Sequence, residues 1–180
     1  MVDERELVAR VLRQDYNAFE ELVNQYQQLV LYVVFRLAKN QQDREDICQE
    51  VFIKVHKNLH RFAFESKLST WIATIAYQTA INYIKKFRRE PVPNEPLELD
   101  SFYFTEETPE QLLGIQDERE YLHQLILQMP LHYRTVLTLY HLNEFSLAEI
   151  QGITGIPEGT LKSYLFRARQ LLKTKLSQHR

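Results

Sequence analysis

Residues 62–89 read FAFESKLSTWIATIAYQTAINYIKKFRR, and this stretch decides the fold. From Thr70 onward it has no proline or glycine, which predicts one long helix. At about 100° per residue, its apolar positions fall on one broad arc that faces a core. The predicted core arc consists of Ile72, Ile75, Ala76, Thr79, Ala80, Tyr83, Ile84 and Phe87. The opposite, solvent-facing stripe carries Trp71, Thr74, Gln78, Asn82, Lys85 and Arg89.

The chemistry of that polar stripe suits unpaired nucleic acid. Amides and hydroxyls can read base edges, an aromatic ring can stack on an unpaired base, and cations can hold phosphates. The basic run from Lys85 to Arg89 ends the helix, where positive charge also suits the helix dipole. The alternative is an ordinary solvated amphipathic helix with a basic end, and this helix alone does not distinguish the two.

Length and composition indicate a cytoplasmic protein without membrane insertion. The 180 residues suffice for one or two small domains with real cores. No apolar run approaches the ~20 residues of a membrane span, and the charged start MVDERELVAR lacks a signal-peptide core. The single cysteine, Cys48, excludes an internal disulfide and a Cys-rich zinc site.

Charge is distributed unevenly behind the net value of −2. Residues 1–90 hold 14 Lys/Arg against 12 Asp/Glu, residues 91–130 hold 1 against 9, and residues 131–180 hold 7 against 3. Prolines at positions 91, 93, 96 and 109 interrupt the acidic part. Because proline fixes φ and removes a backbone donor, residues 91–112 are predicted to be a flexible acidic linker between domains 1–90 and 113–180.

Strand signals are almost absent, so the chain is predicted to be all-α, with a four-helix N-terminal domain. Asn17 is the expected N-cap of the second helix, and the third is expected from Asp43 to Leu59. The outer face of that third helix has one apolar residue among polar ones: Asp46, Gln49, Glu50, Ile53 and Lys57. This pattern fits a docking surface for a partner, although a single exposed Ile is also common. His56 and His60 have the i, i+4 spacing of metal ligands but no third ligand nearby, so no metal is predicted.

The C-terminal residues predict a helix-turn-helix domain. Ser146 and Glu149 form a capping box, Gly155 marks the turn, and Pro157 suits the start of the next helix. In that helix, Leu161, Leu165 and Ala168 have core spacing. Its outer side carries residues able to contact phosphates, guanine edges and a thymine methyl: Thr160, Lys162, Ser163, Phe166, Arg167, Arg169 and Lys173.

Taken in order, four stretches resemble the extracytoplasmic-function group of bacterial sigma-70 factors. They are DREDICQEVFIKVHKNLHRF, STWIATIAYQTAINYIKKFRR, MPLHYRTVLTLYHLNEFSLAEI and GIPEGTLKSYLFRARQLL, and the resemblance covers nearly the whole chain. It implies a specificity subunit that binds the clamp helices and flap of core RNA polymerase and directs initiation at promoter DNA. It also implies that the linker passes near the polymerase active site and RNA exit path.

The resemblance implies roles for individual residues. The third-helix face of Asp46, Gln49, Glu50, Ile53 and Lys57 corresponds to the polymerase-binding surface, and the outer side of the last helix corresponds to the reader of the −35 element. Residues 62–70 correspond to a loop that captures an unstacked base of the −10 element. The helix that follows corresponds to the part that recognises and melts −10 DNA. The implied −10 contacts are Phe62, Ser69, Thr70, Trp71, Gln78, Asn82, Lys85, Arg88 and Arg89.

Two positions depart from the family pattern. Gln78 stands where the family often has Asn, and Gln151 stands where a small residue, usually Ala, is found.

A stand-alone helix-turn-helix regulator would need only the last 60 or so residues. A small enzyme is disfavoured, since no catalytic Ser/His/Asp set, phosphate-binding glycine loop or metal cluster is present in the sequence. No cofactor is expected, and an anti-sigma protein is the expected regulator, binding between the two domains.

Overall fold

The computed structural model describes residues 3–38, 40–88 and 118–178, and within these ranges the chain forms helices and no strand. The N-terminal helices are α1 (Glu4–Leu12), α2 (Tyr16–Leu37), α3 (Gln41–Asn58) and α4 (Leu68–Arg88). The C-terminal helices are α5 (Glu118–Gln128), α6 (Leu131–Leu137), α7 (Leu147–Thr154) and α8 (Glu158–Gln178). The all-α prediction is confirmed. None of the helices in these ranges is long and apolar enough to cross a membrane.

Carboxylate and amide side chains cap the first turns of the N-terminal helices. The α2 cap is Asp15, whose side chain accepts hydrogen bonds from the amides of Asn17 and Ala18. The prediction of Asn17 as cap is therefore wrong: the cap is Asp15, two residues earlier, whose carboxylate also forms an ion pair with Arg10 at 3.0 Å. Asn40 caps α3 in the same way, so that helix begins at Gln41 rather than at Asp43.

Helix α4 is the centre of the N-terminal domain, because it packs against both α2 and α3. Its predicted core residues Ile72, Ala76, Ala80 and Ile84 are buried. In the C-terminal domain, α8 packs against α6 and α7 through Leu161, Leu165 and Ala168, which are also buried, as predicted.

The hydrogen-bonding pattern changes between Leu131 and Leu142. The α-helix ends at Leu137, and residues Thr138–Leu142 form a π-helical segment. The amide of Asn143 donates to the carbonyl of Thr138, five residues back. The wider turn changes the direction in which Tyr140 and His141 project, and both side chains reappear at the candidate site.

The two domains pack against each other in this structure. Helix α2 contacts α6, and α4 contacts α7. Arg134 is only 2% exposed, and its guanidinium donates to the carbonyl of Leu127 in its own domain and to that of Leu37 in α2. The predicted linker 91–112 lies outside the described residues.

Candidate nucleic-acid interfaces

The polar stripe of α4 lies where helical periodicity places it. Gln78, Asn82 and Lys85 are exposed, while Trp71 and Thr74 are half-buried. Arg88 is the last residue of α4, but its side chain and the whole of Arg89 lie outside the described residues. An aromatic ring, two amides and a cation therefore face the same direction along about four helical turns.

Beside this stripe, a cavity of about 410 Å³ opens between α3 and α4. Trp71, Gln78 and Asn82 line it from α4, and Lys54, Asn58 and Arg61 line it from the other side. The Lys54 ammonium reaches across to the hydroxyl of Thr79 at 3.4 Å. The mixture of aromatic, amide and cationic groups suits one extruded base with its phosphate.

Lys54, Asn58 and Arg61 were not predicted from the sequence as part of this surface. Their spacing of i, i+4 and i+7 places them on one side of α3 and the turn that follows it, and this spacing is the signal that could have identified them. Only the packing of α3 on α4 brings them to the α4 stripe, which is 10 or more residues away along the chain.

The loop before α4 is organised by aromatic contacts. Phe62 is 7% exposed, and its ring lies 4.6 Å from the ring of Phe64 and 5.4 Å from that of Trp71. Phe62 therefore supports the loop and does not present its ring to solvent. Phe64, with φ of 58°, is 36% exposed and is the loop's outward-facing ring.

The two hydroxyl residues at the start of α4 differ in exposure. Ser69 is half-buried, and Thr70 is 8% exposed. The Thr70 hydroxyl donates a hydrogen bond to the carboxylate of Glu149 in the C-terminal domain. Thr70 is thus covered by protein in this arrangement, although the family resemblance implies a DNA contact for it.

The outer face of α3 presents all five residues predicted for polymerase binding. Asp46, Gln49, Glu50 and Lys57 are exposed, and Ile53 among them is 46% exposed. We call these five residues the docking face. Cys48 lies away from it, and burial raises the pKa of its thiol to about 11, so the thiol is an unreactive packing group near neutral pH.

The helix-turn-helix has the local geometry that its sequence predicts. Ser146 and Glu149 form a reciprocal capping box at the start of α7, and Gly155 ends that helix with φ of 75°. The capping hydrogen bonds from Ser146, and then the nearby Lys67 ammonium, lower the pKa of Glu149. A side chain would be strained at the left-handed φ of Gly155, which is why glycine suits the turn.

The departure at Gln151 has a structural explanation. Gln151 is exposed, and its side-chain oxygen accepts a hydrogen bond from the backbone amide of Glu158 at 3.0 Å. That amide belongs to the first turn of α8, where donors have no partner within the helix. The long side chain lies at the edge of the motif and links α7 to α8, without disturbing the packing between them.

Most of the residues predicted to read duplex DNA lie on the exposed side of α8. Lys162, Ser163, Arg169 and Lys173 are exposed, Thr160 is half-buried, and Phe166 is 64% exposed. Lys162 forms an i, i+4 ion pair with Glu158 at 2.8 Å, which holds its ammonium close to the helix N-terminus.

Arg167 is the exception, since it is half-buried and lies against a cluster of aromatic side chains. The cluster contains His132, Tyr133 and Tyr164, with the His132 ring 4.7 Å from that of Tyr164. Burial, and secondly the Arg167 charge, lower the pKa of His132 to about 4. His132 is therefore neutral at physiological pH, and Arg167 is oriented by its own domain.

Arg169 is held by the π-helical segment. Its Nε–H donates to Nε2 of His141 at 3.1 Å, and its guanidinium carbon lies 5.5 Å from the centre of the Tyr140 ring. Because Nε2 accepts this hydrogen bond, His141 must be neutral there. Burial, and secondly Arg169, lower the pKa of His141 accordingly.

Within the described ranges, no three His, Cys, Asp or Glu side chains are grouped so that they could hold a metal ion. His56 instead packs edge-on against the ring of Phe19, with the ring centres 4.8 Å apart.

Comparisons with known proteins match both halves of the chain. Residues 22–90 match the family model of sigma-70 region 2, and residues 119–172 match that of sigma-70 region 4. The RNA polymerase sigma-H factor of Pseudomonas aeruginosa is 34% identical over 181 residues, which cover 96% of this chain and 93% of that protein. The chain belongs to the extracytoplasmic-function group of the sigma-70 family. Proteins of this family direct transcription initiation at promoters.

One further relative of this sigma factor supports the assignment, and one solved structure shares its fold. The ECF sigma-E factor of Escherichia coli is 33% identical over 177 residues, covering 94% of this chain and 92% of that protein. A solved structure of the sigma factor RpoE from Bartonella quintana, bound to the anti-sigma factor NepR, has a TM-score of 0.67 at 21% identity. It covers 90% of this chain and 98% of that chain. At this identity the likeness concerns the fold.

Proposed function

We propose that this sigma factor binds core RNA polymerase through its docking face, opens the −10 element with α4 and its preceding loop, and reads the −35 element with α8. The observation that carries the proposal is the cavity of about 410 Å³ between α3 and α4, lined by Trp71, Gln78, Asn82 and the cations Lys54 and Arg61. A duplex-reading helix-turn-helix protein has no need for such a site, because paired bases are not available to enter it.

The energetic requirement explains why a polymerase partner is proposed. Unstacking a base step costs a few kcal/mol, and capture of one base in the cavity offsets only part of that cost. A protein of 180 residues has too few contacts to hold a melted segment open alone. We therefore assign the exposed Ile53 and its polar neighbours to the contact with the clamp helices, and the C-terminal domain to the contact with the flap.

The remaining roles follow from this assignment. The sigma factor acts as a non-enzymatic specificity subunit, works in the bacterial cytoplasm and needs no cofactor. Its activity is controlled by an anti-sigma protein, for which the apolar, exposed Ile53 and Phe166 supply contact area. The two domains touch directly, so a regulator that binds between them has to separate them.

Run-off transcription tests the proposal. Purified bacterial core polymerase is incubated with and without the protein on a library of random promoters, and the transcripts are sequenced. We expect transcripts that share a −35 and a −10 motif and that depend on the protein. Sequence-specific duplex binding by the protein alone, without any transcript, would instead identify a stand-alone regulator.

Matched variants separate docking from folding. Ile53→Asp places a charge in the docking face and should abolish the transcripts. Leu12→Asp is the control, since Leu12 is 48% exposed, close to the 46% of Ile53, but lies at the end of α1 and outside all proposed surfaces. Equal loss of transcription in both variants would contradict the assigned role of Ile53.

A further inference from the structure

The loop before α4 contains an aromatic residue in a backbone conformation that such residues rarely adopt. Phe64 has φ of 58°, in the left-handed region. Within the described ranges, the other non-glycine residues with positive φ are Gln14 and Glu144, and both are exposed polar residues. A bulky residue at positive φ is strained, and such strain persists only where the surrounding contacts fix the residue. Phe64 is 36% exposed, so burial alone does not fix it.

Two contacts hold the Phe64 ring and connect it to the cavity. The Arg5 guanidinium, from α1, lies over this ring, with its carbon 4.9 Å from the ring centre. The Phe62 ring lies 4.6 Å from that of Phe64 and 5.4 Å from that of Trp71, which lines the cavity. A cation over an aromatic face is attracted by the ring quadrupole, and ring pairs at these distances also attract each other. We call the rings of Phe64, Phe62 and Trp71 the aromatic series, which runs from Arg5 to the wall of the cavity.

Helix α1 is held in place at the turn that carries Arg5. The Asp3 side chain caps this turn and accepts a hydrogen bond from the backbone amide of Arg5 at 3.1 Å. The carboxylate of Glu4 accepts another from the hydroxyl of Tyr26 in α2, also at 3.1 Å. Leu7, in the next turn, is 1% exposed. Neighbouring helix positions differ by about 100°, so Glu4 can bind α2 while Arg5 reaches the loop.

Neither Arg5 nor Phe64 lines the cavity, so an effect of either residue on base capture has to pass along the aromatic series. We propose that Arg5 is a positioning residue for the loop before α4, because it holds Phe64 in its left-handed conformation. The aromatic series then keeps the Trp71 side of the cavity in place for an extruded base. A site that is ordered before binding loses less conformational entropy when its ligand enters. The effect on base capture rests on the proposed function, whereas the effect of Arg5 on Trp71 does not.

Three variants isolate the charge at position 5. Arg5→Gln removes the cation and keeps a long polar side chain, while Arg5→Lys keeps a cation that can lie over the ring. The cap of α1 uses the backbone amide of Arg5, so both substitutions leave the capping donor in place. Arg13→Gln is the matched control, since Arg13 is an exposed arginine at the other end of α1.

Fluorescence of Trp71 tests the contact in the free full-length protein. Trp71 is the only tryptophan of the chain and is half-buried, so acrylamide quenching measures the access of solvent to this one ring. We expect Arg5→Gln to raise the quenching constant about twofold, because a loop that opens locally exposes the residues beneath it. Arg5→Lys and Arg13→Gln should stay close to the wild type. Equal quenching constants for Arg5→Gln and Arg13→Gln overturn the inference.

Binding of the polymerase holoenzyme to a forked promoter tests the role in base capture. The fork carries the −10 motif from the random library as an unpaired strand. Abasic substitution at each −10 position identifies the captured base as the one whose loss weakens wild-type binding most. We expect Arg5→Gln to weaken binding of the intact fork about 2- to 5-fold, as for loss of an exposed cation–π contact, and Arg5→Lys to restore it. On the fork that lacks the captured base, Arg5→Gln and the wild type should bind equally. Equal affinities of Arg5→Gln and the wild type for the intact fork overturn the inference.

A direct contact between Arg5 and a DNA phosphate is the alternative that the same assay separates. If Arg5 acts through Phe64, Arg5→Gln should have little further effect in the Phe64→Gly background, where glycine adopts positive φ without strain and the ring is absent. A phosphate contact would instead preserve the loss in that background and on the abasic fork, and would change the slope of log affinity against log salt by about one. That result overturns the positioning role. If the wild-type holoenzyme fails to bind the fork, the proposed function fails, while quenching of Trp71 still decides the contact in the free protein.

Discussion

The side-chain oxygen of Gln151 lies 3.0 Å from the backbone nitrogen of Glu158 and accepts its hydrogen bond. This bond connects the last turns of α7 to the first turn of α8, across the helix-turn-helix. It therefore helps to orient α8, which carries the proposed −35 contacts. It also gives the backbone amide of Glu158 an acceptor that the helix itself does not supply.

Gln151→Ala should destabilise the protein and weaken −35 binding. Loss of a side-chain cap costs about 1 kcal/mol, and the amide of Glu158 would be left to water. Chemical denaturation measures the stability loss, and fluorescence anisotropy with a −35 duplex from the promoter library measures affinity. Gln151→Glu keeps an acceptor at this position and should retain most of the stability. Gln170→Ala, at another exposed glutamine of the same domain, is the control and should change neither quantity.

The contribution of Gln151 also illustrates what the sequence could and could not predict. Local periodicity and turn chemistry predict the helices, the capping box, the turn at Gly155 and the core spacing of α8. These predictions are confirmed. The acceptor for the amide of Glu158 lies seven residues earlier in the chain. Its contact depends on the angle between two helices, which no local pattern specifies.

The same limit applies to α4 and the candidate −10 site. The sequence predicts the arc of α4 that faces α2 and α3, but not the burial of Ala73, Tyr77 and Ile81. Helix α4 also packs against α7, which lies more than 60 residues away along the chain. Lys54 and Arg61 join the cavity only through the packing of α3 on α4. Periodicity identifies which side of a helix is apolar, but it does not tell which element will cover it.

His132 should make the stability of the protein decrease in mild acid. Its pKa is about 4 in the folded protein and 6.5 ordinarily, so the unfolded chain binds a proton first as the pH falls. The contribution of His132 to the free energy of unfolding is therefore fully present above pH 6.5 and is lost as the pH falls toward 4. The total is on the order of 3 kcal/mol, of which about 2 kcal/mol is lost by pH 5.

Urea denaturation at pH 7 and at pH 5 measures this effect. His132→Phe keeps a ring beside Tyr164 and removes the titrating group, so its unfolding free energy should change less between the two pH values than that of the wild type. His60→Gln, at an exposed histidine outside the aromatic cluster, is the matched control. A His132→Phe variant with the same pH slope as the wild type would show that another group is responsible.

His141 should matter for DNA binding through Arg169. Its neutral Nε2 accepts from Arg169, so it restricts the guanidinium to one direction on the exposed face of α8. His141→Ala should weaken binding to the −35 duplex about 2- to 10-fold, as expected for loss of one hydrogen bond to a charged group whose alternative partner is water.

A double-mutant cycle separates positioning from direct contact. If His141 acts through Arg169, His141→Ala should have little further effect in the Arg169→Ala background. Both single variants and the double variant are measured by anisotropy at one fixed salt concentration, since phosphate contacts depend strongly on salt. Equal losses in the two backgrounds would mean that His141 contacts DNA independently.

Gln78 should determine the preferred base at one position of the −10 element. It is exposed and lines the cavity of about 410 Å³ together with Asn58 and Asn82. Gln78→Asn shortens the amide by one methylene, so its donor and acceptor withdraw from the cavity. A well-placed amide contact contributes about 1–3 kcal/mol of discrimination between bases, so the preference should change by roughly 10-fold.

Run-off transcription on the random promoter library gives this preference directly. The −35 motif serves as the internal control, because α8 is unchanged and its reading should stay the same. A −10 motif that is identical in the variant and the wild type would show that Gln78 lines the cavity without reading the base.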